Sequence, residues 1–273
     1  MSSDVRRLWM SCAALALMGA CVEQRPFGPA PDVIVVHAVL NPAERVQHVV
    51  VVRKTAGTGF DRMVSGATVS LVTPDGTTLP AAEVSTTGDP SDFYDGLTPS
   101  PRYDISTSVV ATGQPYRLLV VLPTGEVVEG ETTAPMAVPA RSAIARRLDR
   151  DVDTLRLSWP RVPGARAYEV RITPARDSMN FYSGGYVTYA DTAMTLPASA
   201  TTRGSPIFIP GFTYDLVVSA VDANYYLYYA FDSDQYTGTA LPSSLRGAMG
   251  VFGAIVPIVR LSLTVEGTDP LRR

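Results

Sequence analysis

Cysteine is nearly missing from this 273-residue chain: Cys12 and Cys21 are the only two, and none follows Cys21. That excludes a disulfide framework and any cysteine-ligated zinc site in the body. Lysine is scarcer still, Lys54 being the one lysine among 23 basic residues. Only His37 and His48 offer a base that titrates near neutral pH. Both lie in Val-rich runs where a packed or edge histidine is the default, and no third ligand can be named for a metal shared between them. No sign of charge dominates: 26 acidic against 23 basic residues give a formal net charge of −3. The basic footprint of a nucleic-acid binder is therefore lacking. Gly (21) and Pro (22) are ordinary in number, so collagen-like and wholly disordered chains are excluded. There is no Gly-x-Ser-x-Gly elbow, no His-Glu-x-x-His pair and no cysteine nucleophile in the body, so acyl transfer and zinc hydrolysis lack their parts. Paired carboxylates for glycoside hydrolysis stay open among 26 acidic residues, but an enzyme is not expected.

What is present begins with an address. Arg6 and Arg7 precede an apolar stretch from Leu8 to Met18, then come Gly19, Ala20 and Cys21. This is the layout of a secretory signal peptide, and the stretch is too short for the roughly 20 apolar residues that cross a bilayer. An ordinary cleaved signal with a chance cysteine is one reading. The preferred one rests on Met18-Gly19-Ala20-Cys21, which resembles the bacterial lipobox. That resemblance implies cleavage after Ala20, a diacylglyceryl thioether on Cys21 and an acylated new amine. Several acyl chains on one residue anchor firmly where one does so marginally. Residue 22 is Val rather than Asp, which implies the outer membrane, with its periplasmic or cell-surface face left open. Removing residues 1–20 takes away Asp4, Arg6 and Arg7, so the mature charge is −3 − (+1) = −4.

Residues 21–31, with Pro26, Pro29 and Pro31, read as a lipidated cysteine and an extended tether. The body reads as all-β. Short runs follow one another with turn signals between them: Val33–Leu40, Gln47–Lys54, Ala67–Thr73, Gln114–Leu122 and Glu126–Thr133. Asp75-Gly76 is a hairpin signal, and Phe93 with Tyr94 are expected to anchor the polar stretch 77–113. Gly66-Ala67 and Gly113-Gln114-Pro115-Tyr116, in context, resemble a transthyretin-like or carboxypeptidase-regulatory β-sandwich over residues 32–135. Residues 136–273 form a second unit. Leu155, Leu157 and Trp159 share one strand face, Tyr168, Val170 and Ile172 the next, and Tyr214 opens a run through Leu216 and Val218. An early-strand Trp with a later strand-opening Tyr resembles a fibronectin type III domain and its tyrosine corner. Two tandem β-sandwiches are thus expected, the second carrying an insert at 222–256 before a last strand at Ile258–Val265.

The insert holds Tyr225, Tyr226, Tyr228 and Tyr229, then Asp232 and Asp234. The tyrosines could make a carbohydrate-stacking or partner-binding surface, since tyrosine supplies rigid amphipathic area. Inward packing of about half of them is the preferred alternative. Asp232 and Asp234, with Asp222, are too few to define calcium, and a solvated loop is preferred there. Gly247, Gly250 and Gly253 lack Rossmann spacing and the Walker lysine, so close backbone packing beside the last strand is expected. The apolar stretch 247–265 contains Pro257 and Arg260, which argues against a membrane span.

Gly66-Ala67, Gly113-Gln114-Pro115-Tyr116, Ala220-Val221-Asp222 with Tyr225-Tyr226, and Gly250-Val251-Phe252-Gly253 together resemble an uncharacterised lipoprotein family of Gram-negative envelopes. The resemblance covers nearly the whole mature chain. Members are often encoded beside TonB-dependent outer-membrane receptors. It implies a non-catalytic accessory module for a receptor or its substrate. It carries over no catalytic, cofactor or metal residue. A structural or adhesive surface lipoprotein is the alternative, and a glycan-active enzyme is a third.

Overall fold

The computed structural model describes residues 32–54, 61–85, 101–106, 110–137, 146–175, 185–202, 204–230 and 243–268. Among the described residues the fold is all-β with one short helix. The first half supplies β1 (Val33–Leu40), β2 (Val46–Lys54), β3 (Asp61–Met63), β4 (Thr68–Val72), β5 (Thr78–Pro80), β6 (Ala82–Val84), β7 (Arg102–Ser106), β8 (Pro115–Val121) and β9 (Val127–Thr133). The second half supplies β10 (Arg146–Asp149), β11 (Thr154–Ser158), β12 (Ala167–Pro174), β13 (Tyr186–Ala190), β14 (Ala193–Pro197), β15 (Thr201–Thr202), β16 (Ser205–Pro206) and β17 (Thr213–Val221). Helix α1 (Ala223–Tyr229), β18 (Leu245–Arg246) and β19 (Met249–Glu266) complete the described elements. The Val-rich runs and the alternating segments become strands within a residue of their expected bounds, because β-branched side chains suit a pleated, half-buried surface.

Two hydrophobic cores result, each between facing sheets. The first lies between β1, β2 and β7 on one side and β4, β8 and β9 on the other, with Val36, Val51, Leu71, Leu118 and Val128 at its centre. Tyr103 on β7 anchors it: the phenol donates to Val64 O at 2.7 Å and accepts from Ala67 N at 2.9 Å. Phe93 and Tyr94, expected in that role, lie outside the described residues. The second core gathers Trp159, Tyr168, Val170, Tyr214, Leu216 and Leu263. The Tyr214 hydroxyl accepts from Ile209 N at 2.8 Å, the backbone bond that a tyrosine corner makes.

One strand serves both cores. β19 pairs in parallel with β1 over Met249–Ala254 and antiparallel with β17 over Ile255–Thr264, so a single ten-stranded sheet runs through both halves. This corrects the expected last strand: it starts at Met249 rather than Ile258, and residues 249–256 belong to it rather than to an insert. Its parity also changes along its length. Ile258 points into the second core, and then Leu261, Leu263 and Val265 do. A register shift opposite Val218 and Ser219 absorbs the extra residue, and Pro257 sits at that irregularity, where a missing ladder N–H is tolerated. The first core takes Leu245, Phe252 and Ala254 from this late part of the chain.

Candidate functional site

The residues singled out by the tyrosine-rich stretch meet at the seam between the two cores. β17 ends at Val221, and the chain turns into α1 directly over the stretch of β19 that β17 no longer covers. Asp222 makes the turn. It is extended (φ −74°, ψ 176°), only 5% exposed, and N-caps the helix. Its Oδ1 accepts from Tyr225 N at 2.9 Å and from Ala254 N at 3.1 Å, and its Oδ2 accepts from Thr132 Oγ1 at 2.5 Å. One carboxylate thus ties β9, α1 and β19 together. Its partners are all donors, which assigns Asp222 to capping. Asn224 works beside it, donating to Glu131 O at 2.8 Å and Phe252 O at 2.9 Å.

Two glycines make that junction possible. Gly250 has φ +115°, and a Cβ there would stand 2.1 Å from Val36 O on the paired strand β1. A Cβ at Gly253 would stand 2.8 Å from Tyr225 N. The expected close backbone packing is therefore present, within the strand and against both β1 and α1.

The four tyrosines divide. Tyr225 points inward, and its hydroxyl donates to Glu169 Oε2 at 2.5 Å. Glu169 lies on the β12 face opposite the second core and is only 2% exposed, because α1 covers it. Arg171 Nε donates to Glu169 Oε1 at 3.1 Å, and the Tyr189 hydroxyl lies 3.5 Å from Oε2. Burial, then the Glu169 charge, pushes the phenol pKa of Tyr225 and of Tyr189 well above the ordinary tyrosine value. Tyr226 faces Tyr189 edge-on, ring centroids 5.5 Å apart, with the Arg166 guanidinium 5.2 Å from its ring centroid. Tyr228 reaches back to β1, its hydroxyl 2.7 Å from His37 Nε2. Tyr229, 40% exposed, packs on Tyr225 one turn earlier at 4.5 Å and lies 3.4 Å from His37 Nδ1 through its hydroxyl.

His48 takes a different partner, with Nδ1 2.7 Å from Asp104 Oδ1, so the two histidines serve separate contacts. Asp232 and Asp234, like Ala20 and Cys21, lie outside the described residues. Among the described residues no group of three His, Cys, Asp or Glu side chains is placed to hold a metal ion, and no helix is long and apolar enough to cross a membrane.

Two clefts flank α1. The larger, about 540 Å³, opens between the halves, with Thr73, Tyr116, Arg117, Glu131 and Asn224 in its lining. The smaller, about 430 Å³, lies on the second half, lined by Arg161, Arg166, Tyr189, Asp191 and Tyr226 among others. Sequence reasoning named Tyr226 but missed the other four, and it missed Glu169 and Arg171. In β12 these last two alternate with Tyr168, Val170 and Ile172 and so read as a solvent face.

The family model DUF4249, a domain of unknown function, matches residues 24–256. No curated protein matches the chain. Among solved structures, one described as the crystal structure of DIP-gamma IG1+IG2 is 9% identical, with 88% of this chain and 99% of that one covered at a TM-score of 0.22. A biofilm-associated protein, BSP domain, is 12% identical, with 86% of this chain and 30% of that one covered at a TM-score of 0.23. Scores this low carry no argument about architecture or role.

Proposed function

The chain belongs to the DUF4249 family, a domain of unknown function, and from that membership and its N-terminal run we propose that it is a lipid-anchored envelope protein of the outer membrane. In this reading it is a non-catalytic interaction module for an outer-membrane receptor, of the TonB-dependent kind, or for that receptor's substrate. The observation that carries the proposal is Met18-Gly19-Ala20-Cys21, placed after a short basic and apolar leader. Acylation of Cys21 would tether the β body through the Pro-rich residues 22–31, keeping its clefts within reach of a membrane partner. The two clefts beside α1 give such a module concave surface to use.

The decisive experiment is Cys21→Ala expressed in a Gram-negative host. The parent chain is expected in the membrane fraction, labelled by radioactive palmitate, and the variant in the soluble fraction without label. A variant that stays membrane-bound overturns the anchor. Crosslinking in intact cells followed by capture is expected to recover an outer-membrane receptor. Repeated recovery of none removes the accessory role.

A further inference from the structure

Among the described residues that line it, the smaller cleft beside α1 carries a charge that none balances. Its lining contains two guanidiniums, Arg161 and Arg166, and one carboxylate, Asp191. Arg161 Nη2 donates to both Asp191 oxygens at 3.1 Å, so that pair neutralises itself. Among the described residues, no carboxylate lies within ion-pair distance of Arg166. The described lining of the larger cleft has no such surplus, since it sets Arg117 against Glu131 and the buried Asp222.

We propose that the smaller cleft is a binding site for a compact polar ligand bearing one carboxylate or phosphate group, with Arg166 as the anchoring cation. Arg166 is held in place before any ligand arrives. Its backbone N–H donates to Val221 O at 2.8 Å, and its guanidinium stands 5.2 Å from the centroid of the Tyr226 ring. The Tyr226 ring is itself set by α1 and by the edge-on contact with Tyr189. A guanidinium held over an aromatic ring keeps its planar donor fork, which matches the oxygens of a carboxylate or phosphate. Orienting it in advance reduces the entropy lost on binding. Tyr189, in the same wall, stays a neutral hydroxyl because burial and Glu169 disfavour its phenolate, so it does not repel an anion. The volume suits a small molecule rather than a lone ion, and it is bounded by groups able to hydrogen-bond. The chain as a whole is negative, so attraction of an anion here has to come from this local surplus.

The inference stands on the cleft alone and fails or holds independently of the lipid anchor. Its test uses the full mature protein purified in detergent, titrated calorimetrically with galacturonate, glucose 6-phosphate and glucose. At least one acidic sugar is expected to saturate the protein, and which one does tells carboxylate from phosphate; glucose is not expected to bind. Arg166→Ala is expected to weaken that binding at least tenfold, roughly 1.4 kcal/mol. Asp191→Asn is expected to tighten it, because Arg161 is then released to the ligand. Both positions are exposed, so the variants keep the fold. Absence of saturation by both acidic sugars up to roughly 10 mM, equal binding of glucose, or unchanged affinity in Arg166→Ala overturns the proposal.

Discussion

At the scale of single residues, the buried Glu169 is the group with most at stake. It accepts a 3.1 Å bond from Arg171 Nε and a 2.5 Å bond from the Tyr225 hydroxyl in a place that water scarcely reaches. Hydrogen bonds to a buried charged acceptor contribute about 1.5–3 kcal/mol, and removing one donor leaves the carboxylate under-satisfied. Tyr225→Phe is expected to lower unfolding free energy by about 2 kcal/mol, seen as a reduced urea midpoint at unchanged slope. A midpoint equal to the parent's would mean that Arg171 alone satisfies the carboxylate. The same phenol predicts a pH response. Its folded pKa is raised, chiefly by burial and next by Glu169, so the fold prefers the neutral form. The stabilisation it gives is complete below the unfolded tyrosine value of about 10 and is lost as pH rises beyond it. Urea midpoints measured upward from pH 9 are therefore expected to fall above about pH 10, and more gently in Tyr225→Phe. Equal alkaline slopes in the two proteins would contradict the assignment. None of this was legible in the sequence, where Glu169 and Arg171 alternate with apolar residues and read as a wet face. Only α1, more than fifty residues further on, makes that face dry.

At the scale of elements, the Gly-Val-Phe-Gly stretch sets how close three backbones come. At Gly250 a methyl group would stand 2.1 Å from Val36 O, with the backbone at a φ that L side chains rarely adopt. Steric overlap and strain act together there. Gly250→Ala is expected to destabilise by about 3 kcal/mol or more, because β1 and β19 cannot then keep their parallel register. Gly253→Ala, without the strained φ and facing Tyr225 N at 2.8 Å, is expected to cost less, about 1–3 kcal/mol, by lifting α1 from the strand. Thermal midpoints of the two variants check the ranking, and a reversed order would contradict this account of the junction. The sequence showed that these glycines serve packing rather than phosphate binding. It hid the strand that contains them, because glycine weakens a strand pattern and buried residues on both faces erase alternation. The helix was hidden as well. Its seven residues are tyrosine-rich and poor in propensity, and it forms because Asp222 caps it and β19 receives it.

At the scale of the molecule, the two cores are joined by one strand rather than by a linker alone. β19 gives Phe252 and Ala254 to the first core and Ile258, Leu261 and Leu263 to the second. Sharing a central strand couples their unfolding. Urea unfolding of the mature chain is expected to show one transition, coincident between Trp159 fluorescence, which reports the second core, and far-ultraviolet circular dichroism, which reports both. A fragment of residues 32–135 is expected not to fold by itself, since it loses the parallel partner of β1 and the Leu245 and Phe252 side chains. A dispersed amide spectrum from that fragment would show the halves to be independent.

The sequence by itself determined the all-β class, most strand positions in both halves, and the Trp159 and Tyr214 anchors of the second core. These rest on local alternation, turn residues and β-branched content, which a chain carries in its nearest neighbours. The tertiary structure alone decided that the late glycine-rich stretch returns to pair with the first strand. It alone turned Tyr225 inward onto Glu169, Tyr228 toward His37 and Tyr226 beneath Arg166. Each of these contacts joins residues far apart in the chain, and their pairing is set by which faces meet in the packed molecule rather than by any periodicity along it.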